Sequence, residues 1–173
     1  MRGGRRGGFT LVELMFVVAV MGIISALAAP ALSRTKMASN EASAIASLRA
    51  IHSGQQAFWS SCGNGYYSPT LQNLGLAVGG APGYVSADIA GPAPVVKSGY
   101  EVDMDSDNPT PGTSCNGGSV VITYHATADP QPGKGMRYFG TNGAGAIYQS
   151  SETLFVDMPD TGLPPAPAVP LGS

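Results

Sequence analysis

Residues 9–32, FTLVELMFVVAVMGIISALAAPAL, are apolar apart from Thr10, Glu13 and Ser25. At about 1.5 Å per residue, a helix of this length spans the hydrocarbon core of a bilayer. Three arginines lie among the eight residues before this stretch, and the positive-inside tendency keeps such residues on the cytoplasmic side. The stretch therefore predicts a membrane-spanning helix whose C-terminal continuation lies outside the cytoplasm.

A secretory signal peptide is the alternative interpretation, because it also combines a basic start with an apolar run. Two features disfavour it. The apolar run is longer than the usual signal core, and it continues into a helical pattern instead of ending at a small-residue cleavage site. Residues 26–28, Ala-Leu-Ala, are a weak candidate for such a site.

The next segment, residues 33–61, has an amphipathic pattern that extends the same helix. No strong helix breaker lies between Pro30 and Gly54, and the glycine-rich residues 62–65 end the pattern. The apolar positions recur at spacings mostly compatible with one helical face. They are Met37, Ile45, Leu48, Ile51, Phe58 and Trp59. The sequence thus predicts one long helix, membrane-embedded over residues 9–32 and half-buried over residues 33–61, with the Phe58–Trp59 pair filling the core.

Four later segments are typical of strands, and the last two flank a turn that favours a hairpin. They are Tyr100–Met104, Ser119–Thr127, Met136–Thr141 and Ala146–Gln149. We expect an α+β fold in which a small antiparallel sheet packs on the second half of the helix. The head would cover residues 62–160. The proline-rich tail, residues 161–173, is expected to be flexible and unable to continue the sheet.

Charge and cysteine content limit the functions open to the head. From Cys62 onward, the chain has three basic and nine acidic residues, so binding of this part to nucleic acid is disfavoured. The chain has two cysteines, Cys62 and Cys115, and no histidine close to them that would complete a tetrahedral metal site. In an exported protein they favour a single disulfide, but free thiols stay open because sequence alone does not show their distance.

The acidic run DMDSDN is the one candidate for a metal site. Asp103, Asp105 and Asp107 are spaced like the start of a calcium loop. However, Asn108 stands where an EF-hand has glycine, Pro109 follows, and no glutamate occupies the closing position. The run is therefore a weak calcium candidate and is better interpreted as a solvated acidic turn, and no metal or cofactor is predicted.

No pattern in the chain indicates catalysis. His52 and His125 lie on a predicted helix and a predicted strand, without an obvious nucleophile partner. A phosphate loop, a catalytic triad and a paired-carboxylate site are not recognisable. We therefore expect both histidines to be structural and the protein not to be an enzyme.

Glu13 is the residue that needs an explanation, because a carboxylate within the bilayer costs several kcal/mol unless it is paired. A cut between Gly8 and Phe9 would create an α-amino group one helical turn before Glu13. This amine could pair with Glu13 in the same chain or in a neighbouring one, and buried polar groups are known to set register. The alternative is a charge tolerated near the end of the membrane span.

Residues 6–15, RGGFTLVELM, resemble the class III signal of type IV pilins and their pseudopilin relatives. The resemblance, specific over residues 7–32, implies that a prepilin peptidase removes the basic leader, residues 1–8, and N-methylates Phe9. It also implies that Glu13 guides filament assembly. Gly22 and Pro30 fall where many pilins carry glycine and proline, and in that family the segment between them loses helical order in the filament.

The resemblance is looser over the head, where residues 68–75 and 135–148 are similar to segments of short bacterial pilins. In many type IVa pilins two cysteines bracket a C-terminal loop, whereas here Cys62 is at the helix end and Cys115 is in the middle of the head. The family implies an antiparallel sheet in this region, in agreement with the strand pattern.

The function implied by the resemblance is that of a type IV pilus subunit. It would reside in the inner membrane as a precursor and then in an extracellular filament of identical copies. Its other partners would be the prepilin peptidase and the pilus assembly machinery. The main alternative is a pseudopilin of a type II secretion system. A ligand-binding minor pilin would need a concentrated basic patch, which a head with three basic residues disfavours.

Overall fold

The computed structural model describes residues 8–172. The predicted leader, residues 1–8, lies outside the described residues apart from Gly8. Helix α1 covers Leu11–Ser61, so the prediction of one long helix is confirmed. The chain divides into two compact units, residues 1–36 and 37–173, and the boundary between them falls within α1.

In the second unit, α1 buries a stripe of residues spaced three or four apart, which is the spacing of one helical face. The stripe comprises Glu41, Ala44, Ser47, Leu48, Ile51, Gly54, Gln55 and Phe58. Phe58 is buried, as predicted, but Trp59 is 43% exposed, so the prediction that both fill the core is wrong. Consecutive helical residues point about 100° apart, because a turn holds 3.6 residues, and only one of the two can face the core.

The head contains a short helix and two antiparallel sheets. Helix α2 covers Leu71–Leu74. The strands are β1 (Val95–Lys97), β2 (Tyr100–Asp105), β3 (Pro109–Thr113), β4 (Ser119–Val121), β5 (His125–Pro130), β6 (Tyr138–Asn142), β7 (Ile147–Ser150) and β8 (Val169–Pro170). The large sheet has the order β1-β2-β5-β6-β7-β8, and β3 pairs with β4 in the small one. The predicted α+β fold is therefore confirmed.

One predicted strand differs from the structure in an informative way. The segment Ser119–Thr127 is not one strand, because β4 pairs in the small sheet and β5 in the large one. Tyr124 lies between them and is fully buried in the core. Residues with β-branched and aromatic side chains favour a strand at each position, but this preference does not reveal where the chain passes from one sheet to another.

The tail also joins the large sheet, so the prediction that it cannot continue a sheet is wrong. Strand β8 pairs with β7 through Val169 and Gln149, and the N–H of Leu171 donates to the carbonyl of Ile147 at 2.8 Å. Proline is tolerated here because β8 is an edge strand. The flexibility of the tail stays a prediction.

One hydrophobic core joins the second half of α1 to the large sheet. Leu48, Ile51 and Phe58 pack in the same buried cluster as Tyr100 and Phe139 of the strands. Full burial of each such aliphatic or phenyl side chain stabilises the fold by roughly 1.5–3 kcal/mol. The apolar stripe of the helix and the alternating pattern of β2 therefore account for why this sheet forms on this helix.

Two buried polar side chains of α1 hold the helix in register on the head. Glu41 accepts hydrogen bonds from the N–H of Met136 at 3.1 Å and from Nε and Nη2 of Arg137 at 2.9 and 2.6 Å. Gln55 donates to the carbonyl of Ser68 at 2.7 Å and accepts from the N–H of the same residue at 2.9 Å. A polar group buried without such partners is costly, so these pairs fix one alignment of helix and head.

The end of α1 is also tied covalently to the small sheet. Cys62 and Cys115 form a disulfide, with Cα atoms 4.8 Å apart and a sequence separation of 53, so the predicted disulfide is confirmed. The N–H of Cys115 donates to the carbonyl of Cys62 at 2.9 Å. The cross-link therefore closes a long loop and holds the turn between β3 and β4 against the helix end.

We expect the Cys62→Ser/Cys115→Ser double variant to lose about 4 kcal/mol of unfolding free energy, because a long loop is no longer closed in the unfolded chain. Denaturant unfolding of the full chain in detergent micelles, followed by circular dichroism, measures the loss. Reduced wild-type chain is the control and should behave like the variant. Equal stability of oxidised and reduced wild type would contradict the prediction.

Candidate functional site

The first turn of α1 is closed by a reciprocal pair of side chains, Thr10 and Glu13. The N–H and the hydroxyl of Thr10 both donate to Oε2 of Glu13, at 3.0 and 2.7 Å. The N–H of Glu13 in turn donates to Oγ1 of Thr10 at 3.2 Å. This is a capping box, in which a threonine and a glutamate three residues later satisfy N–H groups that the helix leaves free. Glu13 thus has a structural role in addition to its charge.

Sequence reasoning missed this cap, although its signal was present. The pattern Thr-x-x-Glu ahead of an apolar run is a recognised helix start. Both bonds from Thr10 end on Oε2, and no residue in the described part of the chain donates to Oε1. The cap therefore leaves one carboxylate oxygen of Glu13 open to a further partner.

The predicted processing site lies just before the helix. Gly8 and Phe9 precede α1, which begins at Leu11, and the Phe9 side chain is 83% exposed. Within the described residues Glu13 makes no ion pair. Its pairing with an amine at Phe9 stays a prediction, because that amine would exist only after cleavage.

In the first unit, the helix is apolar on all sides. Every residue from 8 to 36 is exposed, including Leu11, Phe16 and Ile23. By length and composition, α1 is able to cross a membrane. A helix that is apolar all round must be covered by lipid or by protein, since water does not tolerate a patch of this size. This surface must therefore be covered by a bilayer, by other protein chains, or first by one and then by the other.

Gly22 and Pro30 both lie inside α1, which is continuous around them. A Cβ at Gly22 would have no neighbouring atom within 4 Å, so packing does not require glycine there. Pro30 has no N–H to donate to the carbonyl of Ala26, and each of these residues lowers the intrinsic stability of a helix. Loss of helical order between them stays a prediction.

The acidic run does not form the predicted loop. Asp103 and Asp105 lie on β2, and Asp107 lies beyond its end, so the interpretation of the whole run as a turn is wrong. Among the described residues, the group with the geometry to hold a metal ion is a different one. It combines Asp107 with His125 and Asp160, whose potential ligand atoms lie within 4.8 Å of one another.

Hydrogen bonds occupy both carboxylate oxygens of Asp160. Oδ1 lies 2.6 Å from Nδ1 of His125. Oδ2 accepts from the N–H of Asp107, from Nδ2 of Asn108 and from Oγ1 of Thr123, at 3.1, 3.0 and 3.0 Å. This carboxylate therefore joins the end of β2, the start of β5 and the C-terminal loop, and it acts as a structural junction.

Opposing effects set the pKa of the Asp160 carboxyl. Burial raises the pKa, but hydrogen bonds from His125, Asn108, Thr123 and the backbone of Asp107 together outweigh burial and hold the pKa below its ordinary value. The other histidine, His52, places its Nδ1 2.8 Å from the hydroxyl of Tyr124, and burial lowers its pKa. Both histidines thus contact side chains that position them.

Parts of this chain are similar in sequence to known proteins. Residues 4–29 match a family model described as the prokaryotic N-terminal methylation motif. The chain is 33% identical over 134 residues to the type IV major pilin protein PilA of Myxococcus xanthus (strain DK1622), in an alignment that covers 74% of this chain and 57% of that relative. The chain thus matches little more than half of the relative's length. No solved structure matches it significantly.

We expect Asp160→Asn to lower the free energy of unfolding at pH 7 by about 1–3 kcal/mol, because a buried, charged acceptor is lost. Its folded pKa is depressed below an unfolded value of about 3.9, so its stabilisation is present above that value and disappears as the pH falls through the folded pKa. The gap between variant and wild type should therefore narrow below about pH 4. Denaturant unfolding at several pH values measures it.

Asp157→Asn is the matched control, because Asp157 is exposed on the same loop and undergoes the same change of charge. If the difference in unfolding free energy between Asp160→Asn and wild type is independent of pH, the ionised form of Asp160 is not what stabilises this junction.

Proposed function

Because the chain belongs to the type IV pilin and pseudopilin family, we propose that it is a structural subunit of a type IV pilus. The observation that carries the proposal is the helix over residues 9–32, which is exposed and apolar on every side and has Glu13 as its single charged residue. Its role is to assemble rather than to catalyse, in keeping with the named pilin relative.

Processing comes first in the proposed sequence of events. A prepilin peptidase cuts after Gly8 and methylates the new amine of Phe9. The match to a methylation motif over residues 4–29 supports this step, and so does the position of the Gly8–Phe9 bond ahead of the first helical residue. The precursor lies in the inner membrane, with its arginines in the cytoplasm and its head outside.

Assembly then exchanges lipid contacts of the apolar helix for contacts with the helices of other subunits. Lipid tails are as apolar as the helix, so the gain comes from close packing and from polar pairs. The amine of Phe9 in an incoming subunit meets Oε1 of Glu13 in a neighbour, while Oε2 keeps its bonds to Thr10. One heterologous contact repeated along an axis produces an open fibre.

The segment between Gly22 and Pro30 is the part of the helix that adapts in the filament. Helix propensity is lowest at its two ends, and the carbonyl of Ala26 receives no bond from Pro30. Unwinding this stretch lengthens the chain between the anchored first turn and the head. The continuous helix observed in the single chain would then be the form that exists before assembly.

Substitutions that separate the charge of Glu13 from its cap test the assembly step. Glu13→Gln keeps a residue able to complete the capping box but removes the charge, and we expect roughly tenfold fewer fibres or a greater loss. Thr10→Ala weakens the cap by about 1 kcal/mol but keeps the charge, and fibres should persist. Sheared surface fibres are quantified by immunoblotting and imaged by electron microscopy.

Processing of both variants is confirmed by mass spectrometry, so that a loss of fibres is assigned to assembly. Normal fibre yields from Glu13→Gln would remove the charge-pair mechanism. Long surface fibres composed mainly of this chain would exclude the pseudopilin alternative, whereas fibres confined to the periplasm would favour it.

The mature protein should begin with methylated Phe9, since cleavage after Gly8 exposes this residue to N-methylation. Intact-mass and N-terminal peptide measurements on the membrane-extracted chain check this. Gly8→Leu should remain at precursor mass, with Gly7→Ala as a control of similar position. A mature N-terminus at Ala29 or Pro30 would instead identify an ordinary signal peptide.

A further inference from the structure

We propose that the C-terminal end of the apolar segment binds an anionic phospholipid, with the headgroup phosphate on Arg34 and an acyl chain in the groove beside it. The groove measures about 430 Å³ and is lined by Leu27, Pro30, Ala31 and Arg34. This inference rests on the proposed insertion of residues 9–32 into a membrane, and it does not require filaments to form.

The groove lies along one face of α1. Each residue turns a helix by about 100°, so residues three, four and seven positions after Leu27 share its face. A long helical side chain covers the turn that precedes its own Cα, and Arg34 accordingly borders the groove together with Pro30 and Ala31. The small side chain of Ala31 leaves space between Leu27 and Arg34 that an alkyl chain can fill.

The position of Arg34 along the helix matches the level of lipid phosphates. The described helix begins at Leu11 and the apolar stretch ends at Leu32, and this length of helix covers about 32 Å at about 1.5 Å per residue. The hydrocarbon core of a bilayer is about 30 Å thick, and the headgroup layer adds about 5–7 Å on each side. Arg34 follows two residues later, about 3 Å further along the axis, and therefore lies in the headgroup layer.

The guanidinium of Arg34 is available to an anion from outside the chain. Arg34 is exposed, and none of the ion pairs among the described residues includes it. The acidic residues that precede and follow it in sequence are Glu13 and Glu41. Glu13 is bonded to Thr10 and Glu41 to Arg137.

The groove favours a lipid over a free anion. A guanidinium matches a phosphate group with two parallel hydrogen bonds, which a free phosphate could also accept. However, the walls beside Arg34 are apolar, and Leu27 is 73% exposed, so they need an apolar cover. A phospholipid carries the phosphate and the apolar chain in one molecule and therefore satisfies both parts of the site.

Lys36 provides an internal comparison for Arg34. It is also exposed and lies two residues further along, so the two side chains leave the helix about 200° apart. Lys36 is therefore on the opposite face and is absent from the lining of the groove. A lipid held only by general attraction to a basic helix end would use both cations, whereas the proposed site uses Arg34.

The test is native mass spectrometry of the processed full chain, stripped of lipid in a non-ionic detergent and titrated with dioleoyl phosphatidylglycerol. We expect one saturable lipid adduct, which Arg34→Gln weakens about tenfold. Lys36→Gln makes the same charge change on the opposite face and should weaken the adduct by less than about twofold. Unchanged binding by Arg34→Gln, or equal weakening by the two variants, would overturn the proposal.

A second pair of variants tests the groove without changing any charge. Ala31→Leu fills the groove and should weaken the adduct about fivefold, while Ala29→Leu, about 200° away from it on the helix, should leave it unchanged. Both replacements keep a good helix former, and circular dichroism checks the helix content. If Ala31→Leu binds the lipid as tightly as Ala29→Leu, the groove holds no acyl chain.

Two further ligands separate the parts of the lipid. Dioleoyl phosphatidylcholine has the same chains without net negative charge and should bind about fivefold more weakly. Glycerol phosphate has the charge without the chains and should not displace the lipid at equal concentration. Displacement at that concentration would show that the phosphate alone is recognised, against the proposal.

Insertion into lipid nanodiscs separates the failure of this inference from that of the proposed function. A chain that inserts but shows no preference among the lipids and variants contradicts the Arg34 site alone. A chain that does not insert contradicts the membrane stage of the proposed function as well.

Discussion

The need to keep an apolar helix out of water separates this molecule into two parts. Residues 8–36 are exposed at every position, so the described part of the first unit has no core of its own and depends on its surroundings. The second unit is different, because its core is complete within the chain and joins α1 to the large sheet. One helix thus belongs to two environments, and the change from all-round apolar to striped sequence marks the transition.

The head is held to its part of the helix by several kinds of contact. Apolar side chains of the helix and the sheet share one core, while Glu41 and Gln55 select one register through buried hydrogen bonds. The disulfide between Cys62 and Cys115 links the end of the helix to the turn between β3 and β4. Within the head, Asp160 joins segments that are distant in sequence. Movement of the first unit would therefore leave the head intact.

Local patterns in the sequence predicted the elements better than their junctions. The length and periodicity of the apolar residues were enough to predict α1, and the turn before Ile147 was enough to predict the β6–β7 hairpin. The passage of the chain between sheets at Tyr124 and the pairing of Val169 with β7 depend on distant partners, which propensity does not encode. The junction at Asp160 was missed for the same reason, because His125 is 35 residues away.

The capping box gives the two carboxylate oxygens of Glu13 different roles. Since Thr10 uses Oε2 alone, the other oxygen can engage a neighbour without any rearrangement of the helix start. In the proposed filament, a subunit would then join or leave with its first turn already in final form. The energetic barrier to exchange would reside in the contact between chains and in the unwinding between Gly22 and Pro30, and not in the first turn.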